Sequence, residues 1–176
     1  GMIAYLNASN DMTFRTSAIE RMRIDAAGNV TKPVQPSFHA AWTDPGSEGV
    51  ITGTWASSGG AGLWNHGNHF NNTGGKFTAP VDGVYYFNFV VDINDSNSAF
   101  DFHKNGSVFK RTEPIGYADQ SYEGWISFSF SAMMDLSAND YVQVAVRGGS
   151  YAGGDYAAHS GGGTGTWGWF EGYLLG

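Results

Sequence analysis

The chain has 176 residues, a net charge of −7 and no cysteine. This length suits one domain with a small appendage, the negative charge disfavours a nucleic-acid-binding surface, and the missing cysteines exclude disulfides and cysteine-ligated metals. A composition with 26 Gly, 15% aromatic and 14% charged residues is typical of an all-β, turn-rich protein, and no apolar run approaches the ~20 residues of a membrane-spanning helix.

The first residues differ in character from the rest. Gly1-Met2 is typical of a scar left by tag cleavage, and short strand-like pieces follow at Met12–Arg15 and Met22–Asp25. This piece is too small to bury a core of its own. Two prolines predict an extended linker after it. The predicted organisation is a stalk segment at residues 1–31, a linker at 32–36 and a head domain at 37–176.

Two long strands of the head are apolar on both faces. From Val84 to Ile93 the side chains alternate, and one set, which is wholly apolar, is predicted to line the core of a sandwich (Tyr85, Phe87, Phe89, Val91, Ile93). The other set is also largely apolar up to Val90, and the strand at residues 166–175 repeats the pattern. A strand that is apolar on both faces is covered on both. With no helices predicted, a second subunit is the expected cover, and the predicted interface residues are Val84, Tyr86, Trp167, Trp169 and Tyr173.

The clearest hairpin runs from Phe100 to Thr112. Asn105-Gly106 is a preferred two-residue turn. It predicts a register in which Lys104 faces Ser107, His103 faces Val108, Phe102 faces Phe109 and Asp101 faces Lys110. Further strands are predicted at residues 37–42, 50–55, 125–135 and 141–147.

A spaced pattern resembles the signature of the complement-q globular head, a trimeric jelly roll of the tumour necrosis factor superfamily. The matching positions are Asn65, Phe70, Phe77, Gly83, Tyr85, Phe87 and Phe89. The signature opens with a Phe where this chain has Gly59. The resemblance covers about residues 36–176 and implies a jelly-roll β-sandwich and a homotrimer. It says very little about which ligand the protein binds.

The first segment carries a second resemblance. Its Arg21–Ile24 and Gly28–Val30 pieces are similar to a segment of phage tail-fibre and prophage appendage proteins. There the segment belongs to a trimeric stalk or to the joint with a tip domain. This resemblance implies a virion tail fibre, and therefore an extracellular location.

No catalytic constellation or metal site stands out. The five histidines are scattered without metal-binding spacing. His66 and His69 could hold a metal, and Asp92–Asp95 offers oxygens that suit calcium, but solvated loop residues are the favoured interpretation of both. We therefore predict no enzyme and no cofactor, with calcium left open.

The predicted ligand-binding residues are loop aromatics and their acidic neighbours: Tyr117, Asp119, Tyr122, Tyr151, Asp155 and Tyr156. Aromatic rings stack on the flat faces of sugars, and tyrosine-rich loops also bind proteins at low entropic cost. Packing within their own loops or against a neighbouring subunit is an equally good interpretation of each aromatic residue.

The resulting hypothesis is a receptor-binding tip of a trimeric phage-type fibre, directed at a host-surface glycan or protein. Two alternatives stay open: a purely structural knob that trimerises and caps a fibre, and a secreted complement-q-like protein-binding head.

Overall fold

The computed structural model describes residues 1–42, 49–50, 55–56, 63–93, 99–112, 126–147 and 168–175, and the regular elements in these ranges are β-strands. None of the elements in these ranges is a helix that could cross a membrane. The chain divides into two compact units, Gly1–Gln35 and Pro36–Gly176.

The first unit is a four-stranded antiparallel meander, which we call sheet 1. Its strands follow chain order from one edge to the other. They are β1 (Met2–Leu6), β2 (Asp11–Thr16), β3 (Ile19–Ile24) and β4 (Val30–Thr31). Strands therefore lie where the sequence predicted strand-like pieces.

In the described part of the second unit, the strands form a sandwich of two six-stranded antiparallel sheets. Sheet 2 has the order β14-β11-β16-β5-β7 with β8 beside β5, and sheet 3 has the order β13-β12-β15-β10-β9 with β6 beside β15. The strands are β5 (Ser37–Trp42), β6 (Gly49–Val50), β7 (Trp55–Ala56), β8 (Trp64–His66), β9 (Phe70–Asn71), β10 (Lys76–Thr78), β11 (Gly83–Ile93), β12 (Ala99–Lys104), β13 (Ser107–Arg111), β14 (Ile126–Leu136), β15 (Tyr141–Arg147) and β16 (Trp169–Leu174). Because β10 to β16 pass repeatedly between the two sheets, the predicted all-β jelly-roll sandwich is confirmed.

The core between sheets 2 and 3 is built largely of phenylalanine. Phe38 stacks on Phe70 and Phe77 with ring centroids 4.5 and 5.1 Å apart, and Phe102 lies 4.4 Å from Phe130. The set predicted to face inward from β11 is buried (Tyr85, Phe87, Phe89, Val91), whereas the side chain of Ile93 lies outside the described residues. Local alternation therefore identified the core face of β11.

The side chain of Asn65, the first position of the signature, holds the turn between β8 and β9. Its amide nitrogen donates to the carbonyl of Phe70 at 2.8 Å, and its amide oxygen accepts from the backbone N–H of Phe70 at 3.1 Å. Within that turn Gly67 and Asn68 have φ values of 80° and 58°, the left-handed region that glycine and asparagine tolerate best. The turn delivers Phe70 into the core.

The hairpin of β12 and β13 departs from the predicted register. Lys104 faces Ser107 and His103 faces Val108 as predicted, but a β-bulge follows and Phe102 faces Lys110. The prediction that Phe102 pairs with Phe109 and Asp101 with Lys110 was wrong. The extra residue in β13 leaves Phe109 exposed and brings Arg111 opposite Asp101, where the guanidinium donates to the buried carboxylate at 3.0 Å.

Two lysines of this hairpin reach the backbone of β14, which lies at one edge of sheet 2 among the described strands. The ammonium group of Lys104 donates to the carbonyl of Asp135 at 2.9 Å, and that of Lys110 donates to the carbonyl of Ser131 at 2.6 Å. The edge of sheet 3 is thereby tied to the edge of sheet 2 along one side of the sandwich.

A glycine in β16 makes room for two core rings. A Cβ at Gly172 would lie 2.5 Å from Phe87 Cδ1 and 3.0 Å from Phe38 Cε1. We expect Gly172→Ala to lower the free energy of unfolding by about 1–3 kcal/mol, because the rings can retreat only by straining a packed core. Urea unfolding followed by tryptophan fluorescence measures the change.

Gly74→Ala is the matched control, since a Cβ there would meet its nearest neighbour at 3.7 Å, an ordinary contact. A Gly172→Ala protein as stable as the Gly74→Ala protein would contradict the close packing at Gly172.

Candidate functional site: the outer face of sheet 2

The face of sheet 2 that points away from the core is assembled in rows by the strand register. One row runs Met133, Tyr86, Tyr173, Ser37 and His66. The next runs Ser131, Asn88, Glu171, His39 and Trp64, and a third brings Ser129, Val90 and Trp169 together. We call this surface the outer face of sheet 2.

Large apolar side chains on this face are not buried within one copy of the chain. Tyr173 is 45% exposed, and Val84, Met133 and Trp64 are also exposed. Tyr86 and Trp169 are half-buried. Tyr86 contacts Tyr173, with ring centroids 5.5 Å apart. Exposed apolar side chains that cluster on one face are typical of interaction surfaces.

The middle row carries a hydrogen-bonded polar strip. His39 Nδ1–H donates to Glu171 Oε2 at 2.9 Å, and the amide of Asn88 donates to Glu171 Oε1 at 3.0 Å. The bond from His39, with a smaller one from Asn88, holds the pKa of Glu171 below its ordinary value of 4.5 against the opposing effect of burial. Both carboxylate oxygens are therefore satisfied inside a largely apolar surface.

The His39 ring is itself held between two indoles. It stacks on Trp64 with centroids 5.0 Å apart and a 19° interplanar angle, and it lies 5.9 Å from Trp169. Rings on both sides fix the imidazole plane, so that Nδ1 stays directed at Glu171.

The structure brings together four of the five residues that the sequence predicted for a subunit interface. Val84, Tyr86, Trp169 and Tyr173 lie on the outer face of sheet 2, and Trp167 falls outside the described residues. Their role in a subunit interface remains a prediction.

The six predicted ligand-binding residues fall outside the described residues: Tyr117, Asp119, Tyr122, Tyr151, Asp155 and Tyr156. They remain predictions.

The two histidines considered as metal ligands have other partners. His66 Nδ1 lies 3.1 Å from the hydroxyl of Ser37. His69 packs edge-on against Phe77, and burial lowers its pKa. Among the residues with described side chains, no three His, Asp or Glu residues come together as a metal site would require; the side chain of Asp92 and residues 94–95, considered for calcium, lie outside them.

Sequence reasoning missed the polar strip and the contribution of Met133. His39 and Glu171 are 132 residues apart, and only the pairing of β16 with β5 makes them neighbours. The sequence did contain one signal for the strip: Asn88, Glu171 and His39 are each a polar residue at an outward-facing position of a strand.

Comparison with known proteins identifies the family. The model of the C1q domain matches residues 61–175, which is more than half of the chain. The chain belongs to the C1q domain family. The match takes in β8 to β16, and therefore most of the outer face just described.

A solved C1q structure has the same fold. The globular domain of zebrafish complement 1qA protein superimposes with a TM-score of 0.55 at 18% identity, covering 81% of this chain and 98% of that one. At this identity the likeness concerns the fold alone.

Curated relatives match about half of the chain. The rat complement C1q tumor necrosis factor-related protein 5 is 37% identical over 94 residues, which are 52% of this chain and 36% of the relative. The mouse collagen alpha-1(X) chain is 32% identical over 83 residues, which are 46% of this chain and 11% of that protein. The chain thus matches about a third or less of the length of these relatives.

The polar strip predicts acid sensitivity. Because the pKa of Glu171 is lowered in the folded state, its ionised form stabilises the fold above pH 4.5, and this stabilisation is lost as the pH falls through the folded pKa. In Glu171→Gln we expect the free energy of unfolding at pH 7 to fall by about 1–3 kcal/mol and to decline less between pH 4.5 and pH 3. Urea unfolding at each pH and one fixed protein concentration measures both effects.

Asp135→Asn serves as the control, because its side chain is an exposed carboxylate on the same face of sheet 2. If Glu171→Gln keeps the full acid dependence of the unmodified protein, the hydrogen bonds to Glu171 do not stabilise the fold.

Proposed function

We propose that this protein is a non-enzymatic extracellular binding head, and that three copies associate through the outer face of sheet 2. The observation that carries the proposal is the row of exposed and half-buried apolar side chains on that face, which includes Tyr86, Tyr173 and Met133. Covering such a surface is favourable by about 25 cal/mol for each Å² of apolar area removed from water.

The polar strip is compatible with burial between subunits. A carboxylate placed in an interface is tolerated when hydrogen bonds satisfy it, and Glu171 already has His39 and Asn88 as partners. The neighbouring copies therefore need to supply only apolar contacts. We expect the assembled trimer to bury more than about 2,000 Å² in total, the size of an obligate interface.

Membership of the C1q domain family favours a secreted binding head over a phage fibre tip. The matched relatives carry names of complement-related proteins and of a collagen chain, and the fibre hypothesis depends on a segment outside the matched residues. The binding partner would be a protein or a glycan, recognised by the loops that hold Tyr117, Tyr122, Tyr151 and Tyr156.

The fibre tip is the second candidate because the chain carries sheet 1, a separate β unit at residues Gly1–Gln35. Its Arg21–Ile24 segment resembles tail-fibre sequences. Adsorption of fluorescently labelled protein to bacterial envelopes and to animal cells in parallel distinguishes the two functions, since a fibre tip binds only the envelopes of its host.

The trimer is tested by a charge in the centre of the outer face. Tyr173→Arg should convert the trimer into monomers, because three guanidinium groups would lie in an apolar interface. Light scattering after size-exclusion chromatography at micromolar concentration gives the mass. Circular dichroism verifies that the variant is folded.

Phe109→Arg is the matched control, because Phe109 is 48% exposed, close to the 45% of Tyr173, but lies on β13 of sheet 3. A monomeric unmodified protein, or a trimer that survives Tyr173→Arg but not Phe109→Arg, would contradict the proposed interface.

The ligand loops are tested by a double variant. Tyr151→Ala with Tyr156→Ala should reduce binding to a glycan array or to a panel of extracellular proteins at least tenfold while the mass stays trimeric. Threefold presentation amplifies each weak contact through avidity, so the loss should be larger for the trimer than for Tyr173→Arg monomers. Unchanged binding would exclude these two tyrosines from the site.

A further inference from the structure

The strand register gives sheet 1 one face without charges and one face that carries its charged residues. On one face, Ile3, Phe14 and Met22 form one row across β1 to β3, and Tyr5, Met12, Ile24 and Val30 form a second row across all four strands. We call these seven residues the apolar face of sheet 1. None of them carries a charge, and its one polar group, the Tyr5 hydroxyl, donates to the side chain of Asn10 at 2.8 Å.

The opposite face carries the charged residues of β2 and β3, and β1 contributes Met2, Ala4 and Leu6 to it. Arg23 forms an ion pair with Asp11 and another with Glu20, the second at 2.7 Å. Asp11 and Thr13 are buried there. The charges of Arg23, Asp11 and Glu20 are therefore paired within the sheet, whereas Arg15 Nε on the same face is buried without a hydrogen-bond partner.

Four of the seven residues of the apolar face are exposed, and Phe14, Met22 and Ile24 are half-buried. Ile3 is 68% exposed, Tyr5 and Val30 are each 58% exposed, and Met12 is also exposed. At about 150–250 Å² for a large side chain, these four present on the order of 500 Å² of apolar surface. That is as large as the largest apolar patch of a typical monomer. A single layer of four short strands also needs a second layer to bury its hydrophobic side.

We infer that the apolar face of sheet 1 packs against the same face of other copies of this chain. This inference builds on the proposed trimer of the second unit, which would hold the copies close together. An apolar face without charges is complementary to itself across a rotation axis, because no like charges meet.

The distribution of charge supports identical copies as the occupant. Residues 1–35 hold four Lys or Arg and three Asp or Glu, so this unit carries +1, and the net charge of −7 leaves −8 on the remaining residues. Like-charge repulsion therefore opposes association of the second units far more than association of sheet 1, whose copies carry only +1 each.

The size of the face indicates how the association would work. About 500 Å² is below the roughly 800 Å² per partner of a standard protein interface, so sheet 1 alone should associate weakly. A trimeric head would raise the effective concentration of the tethered sheets to about the millimolar range. Association through sheet 1 should therefore follow trimerisation of the head.

The absence of cysteine from the chain allows a direct test. Ile3→Cys places one thiol on the apolar face, and Met2→Cys places one on the opposite face of the same strand, where Met2 is 51% exposed. After mild oxidation of the full chain, non-reducing gels should show covalent dimers at least fivefold more abundant for Ile3→Cys. Maleimide labelling before oxidation should be slower for Ile3→Cys than for Met2→Cys.

Equal crosslinking of the two variants would overturn the inference, and so would an Ile3→Cys thiol that labels as fast as it does in denaturant. An Ile3→Cys thiol that is protected but does not crosslink would also overturn it, since another surface would then cover the face.

Light scattering on the same samples separates this result from the proposed function. A trimer without preferential crosslinking refutes only the association of sheet 1, and a monomer without crosslinking refutes both. A monomeric head with preferential crosslinking of Ile3→Cys supports association through sheet 1 and refutes the head trimer.

Discussion

The head is organised by β11, a strand that carries large side chains on both of its faces. Its inward set packs into a core of phenylalanine rings. Gly172 on β16 has no Cβ, and this leaves the space that the rings of Phe87 and Phe38 occupy. Its outward set, with that of β16, forms the outer face of sheet 2. A two-layer sandwich buries only the side chains that point between its sheets, so the outward side chains of β11 stay uncovered in a single copy. The proposed association of subunits follows from this constraint.

The polar strip introduces directional hydrogen bonds into an otherwise largely apolar surface. Apolar contacts alone permit many relative positions of two subunits, because they are not directional. Glu171 is held by His39 and Asn88, and His39 is held by two indoles. A partner surface that displaced these groups would leave a charged carboxylate without hydrogen bonds, at considerable cost. In the proposed trimer the strip therefore disfavours misaligned arrangements.

The sequence predicted features that depend on local periodicity and missed those that depend on distant pairing. Alternation along β11 identified both of its faces, and Asn105-Gly106 correctly placed the turn of the β12–β13 hairpin. The bulge beyond His103 was not predictable from the turn, because it accompanies the contact of Arg111 with Asp101 across the hairpin. The bond between His39 and Glu171 requires the order of strands in sheet 2, which no local pattern contains. The predicted ligand loops belong to the part of the chain that the structure does not describe.

The lysines that reach β14 have a consequence for solubility. An edge strand has unpaired carbonyl groups with which a strand of another molecule can form hydrogen bonds. Such pairing is a common route to amyloid-like aggregates. The ammonium groups of Lys104 and Lys110 occupy the carbonyls of Asp135 and Ser131 on that edge. Each ammonium group also places a positive charge at the position that the backbone of an added strand would occupy. Both effects disfavour the addition of a foreign strand along this edge of the sandwich.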